Sequence, residues 1–323
     1  MKYLLGIDGG GTGTKITAAD RHGNILTHMS AGALNGNGQS PDRLKETIGQ
    51  IVRALEGCGY VPEQCAGIGA GVAGISNRLS GETVREMFAE RGFFCPVSLY
   101  GDHETALAAA FPERHGVVLI AGTGSICYGR RADGGSFRVG GWGHLIDDGG
   151  SAYAIGRDIM AAVVRQEDGR GERTLLRGLV FEKLHIKTVK EMIGYLYHPD
   201  RSKKDTAALA VLLEPAAEEG DRAAQAIEAA CVESLAELVL TAVGCTGSEK
   251  MLALGGSVLL KNERIRNRLC RKLQEADGQI RIVGTVQDAS AGALRLWQEE
   301  RGSGHGSGKE GGKEIEAGSV SGG

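Results

Sequence analysis

Short apolar runs alternate with amphipathic stretches along most of the chain. The first run, Leu4–Ala19, predicts an apolar strand, a glycine turn just after Asp8, and a second strand. Residues 41–57 then carry apolar side chains at helical spacing, with Ser40 as the predicted N-cap and Pro41 at the first helical position. Strands and helices that alternate in this way predict an α/β layer architecture.

The same pattern continues through the rest of the sequence. Further strands are predicted at 25–26, 66–71, 97–100, 117–128 (with a central turn), 250–254 and 280–283. Further helices are predicted at 81–91, 103–110, 151–166, 189–196, 204–219, 221–243, 263–275 and 289–300. Residues 301–323 are rich in Gly, Ser, Lys and Glu and cannot bury a core, so a disordered tail is expected there.

A second glycine hairpin echoes the first. Residues 11–14 (GTGT) map onto residues 122–125 (GTGS) at an offset of 111, and the same offset carries Gly23 onto Gly134. A shift that is kept from one turn to the next suggests an internal duplication. The glycines at 9–13 are expected to adopt φ > 0 and to let backbone N–H groups converge on an anion such as phosphate.

The composition is not that of a nucleic-acid-binding or membrane-spanning protein. A chain of 323 residues favours two domains, and a formal net charge of −3 indicates neither nucleic acid nor an anionic membrane as partner. No apolar run is long enough to span a bilayer, so a cytoplasmic protein is expected. The seven cysteines are scattered without metal-ligand spacing, which is typical of reduced structural thiols.

Two common nucleotide motifs are disfavoured. In the first hairpin Thr14 precedes Lys15 and a strand follows, whereas a Walker A loop needs Gly-Lys-Ser/Thr opening a helix. Residues 69–74 fit G-x-G-x-x-G, but the helix that should receive a pyrophosphate begins too late. A tight hairpin without a ligand stays the alternative to a phosphate site, and Asp8 at the strand end favours phosphate, since its carboxylate can hold Mg²⁺ through water.

Three further features are candidates for chemistry. Asp102 lies between a predicted strand and a helix, where it is either an N-cap or a general base for a hydroxyl acceptor. Residues 140–150 join an aromatic ring, an imidazole and two carboxylates in a glycine-rich loop, which suits a sugar, although Trp142 could equally anchor the core and the two aspartates could be turn residues. Residues 255–257 (GGS) are either a tight turn or a close approach for adenine.

Together these segments resemble the N-acetylglucosamine kinase branch of the BadF-type ATPase family, within the actin-like/hexokinase/Hsp70 ATPase superfamily. The matching pieces are GIDGGGT (6–12), GDHETALAAAF (101–111), LIAGTGS (119–125), GGWGHLIDDGGSAYAIG (140–156) and LALGGSV (252–258). They occur in the family's order over about residues 1–300. The resemblance implies two ribonuclease-H-like domains with ATP in the cleft between them, the first comprising 1–115 and about 288–300, the second 116–287.

The resemblance also implies roles for individual residues. The catalytic base would be Asp102, and Asp8 would hold Mg²⁺ through water. Contacts to ATP would come from Asp8, Gly10, Gly11, Thr12, Gly122, Thr123, Gly124, Gly255 and Gly256. Contacts to the sugar would come from Asn35, Gly141, Trp142 and Asp148. The implied activity is ATP-dependent phosphorylation of an amino sugar, N-acetylglucosamine or glucosamine at the 6-hydroxyl, by a protein that could pair with itself as a homodimer.

One departure bears on the substrate. Where the family has Gly-Asp-Glu-Gly-Ser, this chain has DDGGS at 147–151, so Gly149 replaces a glutamate and Asp147 replaces a glycine. Two alternatives therefore stay open. One is an ATPase that activates a partner enzyme through an iron–sulfur cluster, for which Cys127 is the nearest cysteine; the other is a sugar-binding relative without catalysis.

Overall fold

A computed structural model describes residues 1–11, 13–35, 39–72, 78–111, 115–246, 250–286 and 288–302, with the backbone alone at 78–81. The chain forms two compact units. Unit 1 combines Met1–His115 with the segment from Val286 to the end of the last helix, and unit 2 is Gly116–Thr285. The disordered tail predicted at 301–323 lies, from residue 303 onward, outside the described residues.

Unit 1 is a five-stranded sheet covered by helices. Its strands are β1 (Tyr3–Gly9), β2 (Thr14–Ala19), β3 (Ile25–Ala31), β4 (Cys65–Val72) and β5 (Val97–Tyr100). Its helices are α1 (Pro41–Gly57), α2 (Arg78–Ala89), α3 (Asp102–Ala110) and α12 (Ser290–Gly302). The strand order is β3-β2-β1-β4-β5, with β1 antiparallel to β2 and parallel to β4.

The glycines of unit 1 let its last helix lie directly on the sheet. A Cβ on Gly6 would meet the carbonyl oxygen of Ser290 at 2.1 Å, and one on Gly69 would meet that of Ala293 at 2.2 Å. A Cβ on Gly67 would overlap the indole of Trp297. Because interiors are close-packed, three glycines on neighbouring strands are what this helix needs to reach β1 and β4.

Unit 2 repeats the sheet of unit 1. Its strands are β6 (Gly116–Ala121), β7 (Ser125–Arg130), β8 (Ser136–Gly140), β9 (Met251–Gly255) and β10 (Arg281–Val286). The order β8-β7-β6-β9-β10 matches that of unit 1, and the first strand is again antiparallel to the second and parallel to the fourth. The two units therefore share one topology, as the repeated hairpin suggested, and the predicted α/β fold of two ribonuclease-H-like domains is confirmed.

The helices of unit 2 are more numerous. They are α4 (Ala152–Glu167), α5 (Leu176–Leu184), α6 (Val189–Leu196), α7 (Lys203–Ala207), α8 (Leu213–Glu218), α9 (Arg222–Gly244), α10 (Ser257–Lys261) and α11 (Glu263–Ala276). Asp221 is the N-cap of α9, since its Oδ1 accepts the N–H of Ala224 at 2.8 Å. Leu235 and Val239 on α9 are fully buried in the core of this unit.

One predicted helix is wrong. Residues 204–219 form α7, a 3₁₀ turn at Ala208–Leu212, and α8 rather than one continuous helix. Pro215 explains the break, because it has no N–H to donate to Val211 and its ring would clash with that carbonyl in a continuous helix. In the first turn of α8, where the N–H has no helical acceptor, the proline is tolerated. The described ranges contain no helix long and apolar enough to cross a bilayer.

Candidate active site

The first hairpin, between β1 and β2, places Asp8 at the end of a buried strand. The turn is closed by the N–H of Gly10, which donates to the carbonyl of Gly13 at 3.0 Å. The N–H of Gly11 has no protein acceptor within the described part of the chain. Thr12, the hydroxyl predicted to touch phosphate, lies outside the described residues. The hairpin thus offers at least one backbone donor to an anion.

The expectation that these glycines adopt φ > 0 is wrong for the described backbone. Neither Gly9 nor Gly10 has a left-handed φ. The glycines are needed for close approach instead, since a Cβ on Gly9 would meet the carbonyl oxygen of Leu34 at 2.8 Å. Leu34 is fully buried and adjoins Asn35, which is 8% exposed and whose N–H donates to Gln39 Oε1 at 2.8 Å. The bare glycine backbone therefore brings the Asn35 loop close to the end of β1.

Asp8 is a buried carboxylate with acidic neighbours. Burial raises the pKa of Asp8 from its ordinary value of 3.8 to about 6. The N–H of Ala289, which donates to Asp8 Oδ2 at 3.3 Å, lowers this pKa, while the charges of Asp102 and Asp288 raise it further. A carboxylate with that proton affinity is suited to bind a cation, which would remove the cost of its buried charge.

Replacing Asp8 with Asn is expected to stabilise the protein above pH 7 and to change its stability little near pH 4. The folded state holds the Asp8 proton more tightly than the unfolded chain does, so between pH 3.8 and about 6 stability falls as pH rises. The full effect is about 3 kcal/mol, since each tenfold change in proton affinity corresponds to about 1.4 kcal/mol. Urea unfolding of wild type and Asp8→Asn at about pH 4 and pH 7.5 measures this change in unfolding free energy. If the two proteins differed by the same free energy at both pH values, the raised pKa of Asp8 would be contradicted.

Asp102 is the first residue of α3, and Gly101 is the N-cap. Glu104 completes the cap, because its Oε2 accepts the N–H of Gly101 at 2.7 Å. The Asp102 side chain is 40% exposed, and its Oδ1 accepts the N–H of His103 at 3.1 Å. The alternative in which Asp102 is the N-cap is therefore wrong. Its carboxylate stands at the carboxyl end of β5, where open α/β sheets bind ligands.

The second hairpin, between β6 and β7, is hydrogen-bonded to the first turn of α4. Its carbonyl groups face α4, with the N–H of Ala152 donating to Gly122 at 2.8 Å and that of Tyr153 to Thr123 at 3.4 Å. The N–H of Gly122 closes the turn on Gly124 at 2.8 Å. In the described structure the N–H groups of Thr123 and Gly124 have no protein acceptor. The turn therefore presents two backbone donors.

Gly255 and Gly256 lie at the end of β9, next to this hairpin. Gly256 has a φ of +85°, and a Cβ there would stand 2.4 Å from the backbone carbon and oxygen of Ala121. Both the left-handed backbone and the contact exclude any other residue without a shift. Gly256 thus fixes the distance between the end of β9 and the residue that enters the second hairpin.

The loop at 140–150 begins with left-handed glycines. A Cβ on Gly141, whose φ is +77°, would meet the side chain of Ile126 at 2.8 Å. Trp142 follows with 63% of its surface exposed, so the alternative in which it is a core anchor is wrong. The Arg138 guanidinium lies 3.7 Å from the centre of the Trp142 ring, and Asp147 Oδ2 accepts the Trp142 N–H at 3.0 Å.

Asp148 joins this loop to the second hairpin. It is 5% exposed and has a left-handed φ of +60°, which is rare for a residue with a side chain. Burial raises the pKa of Asp148, while the nearby backbone N–H groups of Gly143 and Ser125 lower that pKa. A Cβ on Gly124 would lie 2.8 Å from Asp148 Oδ2, so the hairpin needs glycine beside this carboxylate.

Sequence reasoning missed Asp288. Its Oδ1 accepts the N–H and the hydroxyl of Ser290 at 2.9 and 2.6 Å, and its charge acts on Asp8. The signal was an aspartate directly before the helix predicted at 289–300, which is also the pattern of an ordinary cap. Among the described side chains no group of three Asp, Glu, His or Cys is arranged to hold a metal ion by itself.

The predicted residues therefore form two sets. In unit 1 the structure brings together Asp8, Gly10, Gly11, Asn35 and Asp102, with Thr12 not described. In unit 2 it brings together Gly122, Thr123, Gly124, Gly141, Trp142, Asp148, Gly255 and Gly256. Each unit contributes one glycine hairpin with unpaired backbone donors and at least one buried carboxylate.

Comparison with known proteins places these features in context. The sequence profile of the BadF/BadG/BcrA/BcrD ATPase family matches residues 5–294. A Clostridium acetobutylicum protein named N-acetylmuramic acid/N-acetylglucosamine kinase is 29% identical over 306 residues, 93% of this chain and 99% of that protein. The N-acetyl-D-glucosamine kinase of Dictyostelium discoideum is 29% identical over 317 residues, 91% of this chain and 97% of that enzyme. A Chromobacterium violaceum structure described as a candidate N-acetylglucosamine kinase is 25% identical, with a TM-score of 0.78 over 92% of this chain and 99% of that one.

Proposed function

The chain belongs to the BadF/BadG/BcrA/BcrD ATPase family, and from that premise we propose that it is an ATP-dependent amino-sugar kinase that acts on N-acetylglucosamine or glucosamine at the 6-hydroxyl. The observation that carries the proposal is the repeated glycine hairpin with unpaired N–H groups, one in each unit, together with a half-exposed Asp102. The relatives are named amino-sugar kinases, and this chain matches them over nearly their full length, which supports the same activity.

The nucleotide is assigned to the two hairpins. Phosphate oxygens need free backbone donors, and the N–H groups of Gly11, Thr123 and Gly124 have no acceptor among the residues that the structure describes. Gly255 and Gly256 would line the adenosine, because they end β9 beside the second hairpin.

Magnesium fits the surroundings of Asp8. The carboxylate is buried, receives a single N–H at 3.3 Å, and has the charges of Asp102 and Asp288 nearby, so a divalent cation would offset an unfavourable field. Since the described protein side chains do not form a complete cage, water and phosphate oxygens would supply most ligands, as is usual for this ion. When bound, Mg²⁺ would neutralise charge on the transferred phosphoryl group.

Asp102 is assigned as the general base. Its Oδ1 is oriented by the His103 N–H, which leaves the second carboxylate oxygen to accept the proton of the sugar hydroxyl. Phosphoryl transfer depends chiefly on positioning and charge neutralisation, so a carboxylate that orients the acceptor contributes even before it takes the proton.

The sugar is assigned to residues from both units. Trp142 offers an exposed aromatic face for the apolar side of a pyranose, and Gly141 and Asn35 offer polar groups. The Asp148 carboxylate, which is 5% exposed, would accept a hydrogen bond from a sugar hydroxyl. The alternative of an iron–sulfur activator gains no support from Cys127, because that thiol is fully buried and its burial raises its pKa.

A screen of acceptors tests the proposal. We expect ADP release that depends on N-acetylglucosamine or glucosamine, with weaker turnover of glucose and N-acetylmannosamine, and ³¹P–¹H correlation NMR of the product should place phosphate on C6. N-acetylmuramic acid belongs in the screen because the Clostridium relative is named for it. Sugar binding by calorimetry without ADP release would contradict the kinase and favour the non-catalytic alternative.

A further inference from the structure

Trp142 is exposed, yet its ring and its backbone each make one contact. The ring lies against the guanidinium of Arg138, with 3.7 Å between the guanidinium carbon and the ring centre. The backbone N–H of Trp142 donates to Asp147 Oδ2 at 3.0 Å. A tryptophan with 63% of its surface in solvent would otherwise sample several rotamers, so the contact with Arg138 restricts the ring, and the bond to Asp147 restricts the backbone that carries it.

The guanidinium of Arg138 contacts the Trp142 ring and pairs with no described carboxylate. Within the described ranges its guanidinium makes no ion pair and no hydrogen bond, and its Nε is buried without a partner. Leaving a buried donor unpaired costs free energy, and a contact with the face of an indole is among the interactions that offset such a cost. The arginine, on the last strand before the loop, therefore supports the ring from a rigid element.

Asp147 closes the loop that carries the tryptophan. Its own N–H donates to the carbonyl of Gly143 at 2.8 Å while its Oδ2 accepts from Trp142, so residues 142–147 form a closed turn. Gly140, Gly141 and Gly143 all have left-handed φ values, and a loop this rich in glycine loses much entropy when it is ordered. A glycine at position 147, as in the family pattern, could not make the side-chain contact.

We propose that Arg138 and Asp147 are positioning residues that hold the Trp142 indole as a preformed platform for the sugar ring. The inference rests on the proposed function, because Trp142 must contact sugar for its position to matter. Holding the ring before the sugar arrives removes an ordering cost from binding, so the two residues act on sugar affinity rather than on phosphoryl transfer. Asp147 thereby gives a role to the extra aspartate of the DDGGS segment.

Four variants with two matched pairs test the proposal. Arg138→Met and Asp147→Ala remove one contact each, whereas Arg138→Lys keeps a cation for the ring and Asp147→Asn keeps an acceptor for the N–H. We expect the first two to raise KM and Kd for N-acetylglucosamine about fivefold to tenfold, the worth of one such contact. The kcat and the KM for ATP should change by less than about twofold, and the conservative variants should stay within about twofold of wild type.

Tryptophan fluorescence reads the position of the ring without turnover. The chain has two tryptophans, so the emission of a Trp142→Phe variant supplies the Trp297 contribution to be subtracted. Acrylamide quenching of the remaining signal should increase in Arg138→Met and Asp147→Ala and not in their conservative partners. The proposal would be overturned if Arg138→Met and Asp147→Ala lowered kcat fivefold to tenfold and left the KM for N-acetylglucosamine unchanged. Unchanged acrylamide quenching in both of these variants would overturn it as well.

Two further outcomes are distinguished. If Arg138→Met weakens only an acceptor that bears a carboxylate, such as N-acetylmuramic acid, and leaves N-acetylglucosamine unchanged, then Arg138 binds an anionic substituent directly and the positioning role is wrong. If wild type phosphorylates no amino sugar, the proposed function fails first, and with it the sugar platform. Fluorescence would then still report whether these contacts hold the ring.

Discussion

Asp102→Asn should lower kcat for sugar phosphorylation by about 10²–10⁴-fold, the usual worth of a general base, while ATP affinity stays near that of wild type. The amide is isosteric and keeps an oxygen to accept the His103 N–H, so the first turn of α3 should be preserved. The amide cannot take the proton of the sugar hydroxyl. Steady-state ADP release measures the loss, and calorimetric titration measures nucleotide affinity.

Glu104→Gln is the matched control for that experiment. It makes the same acid-to-amide change two residues along α3 and retains an acceptor for the Gly101 N–H. We expect it to keep activity within about twofold, because Glu104 serves the helix cap and not the acceptor. If Asp102→Asn turned over sugar at the control's rate, Asp102 would not be the base, and the catalytic carboxylate would have to be sought at Asp8 or Asp288.

Much of the local structure could be predicted because its causes lie within a few residues. The helix after Ser40 and the strand at Val97–Tyr100 depend on spacing of apolar side chains and on a proline at a helix start, and the structure has them at the predicted bounds. The strand–glycine–strand pattern at both hairpins is equally local. These features sufficed to predict the α/β class, whereas the two ribonuclease-H-like domains and the roles of most candidate residues were implied by the family resemblance.

The structural role of a residue was harder to predict than its place in a strand, turn or helix. The glycines of the first hairpin were expected to have positive φ, yet Gly9 is required by a carbonyl from a loop 25 residues later in the chain, that of Leu34. A glycine allows either a positive backbone φ or the close approach of another segment, and the sequence does not distinguish these two roles. Asp102 posed the same ambiguity, because an aspartate before a helix is as common at the cap as beside it.

Individual contacts between distant segments could not be predicted from the residues; only the family resemblance implied that about 288–300 joins 1–115 in one domain. Nothing in the sequence near β1 indicates that the N–H of Ala289 reaches Asp8, about 280 residues away in the chain. The clue exists only as small residues facing one another, such as Gly6 beneath Ser290. Asp147, for which an ordinary turn position was left open as the alternative to a sugar contact, accepts the Trp142 N–H because of the geometry of the loop.

Gly256→Ala should weaken ATP binding by at least about tenfold and destabilise unit 2. The left-handed φ of +85° alone costs a residue with a Cβ about 1–2 kcal/mol. The new methyl group would also stand 2.4 Å from the Ala121 backbone, a distance that forces β9 away from the entry to the second hairpin. Together these effects should amount to about 2–4 kcal/mol of unfolding free energy.

Gly220→Ala separates the two causes. Gly220 has nearly the same φ, +83°, but no atom lies within 4 Å of its added Cβ. It should therefore lose only the backbone cost of about 1–2 kcal/mol and bind ATP as wild type does. Calorimetry and urea unfolding of both variants measure the difference. Equal ATP affinity in the two would mean that the contact between Gly256 and Ala121 does not position the phosphate-binding turn, and the assignment of that turn to the nucleotide would lose its structural basis.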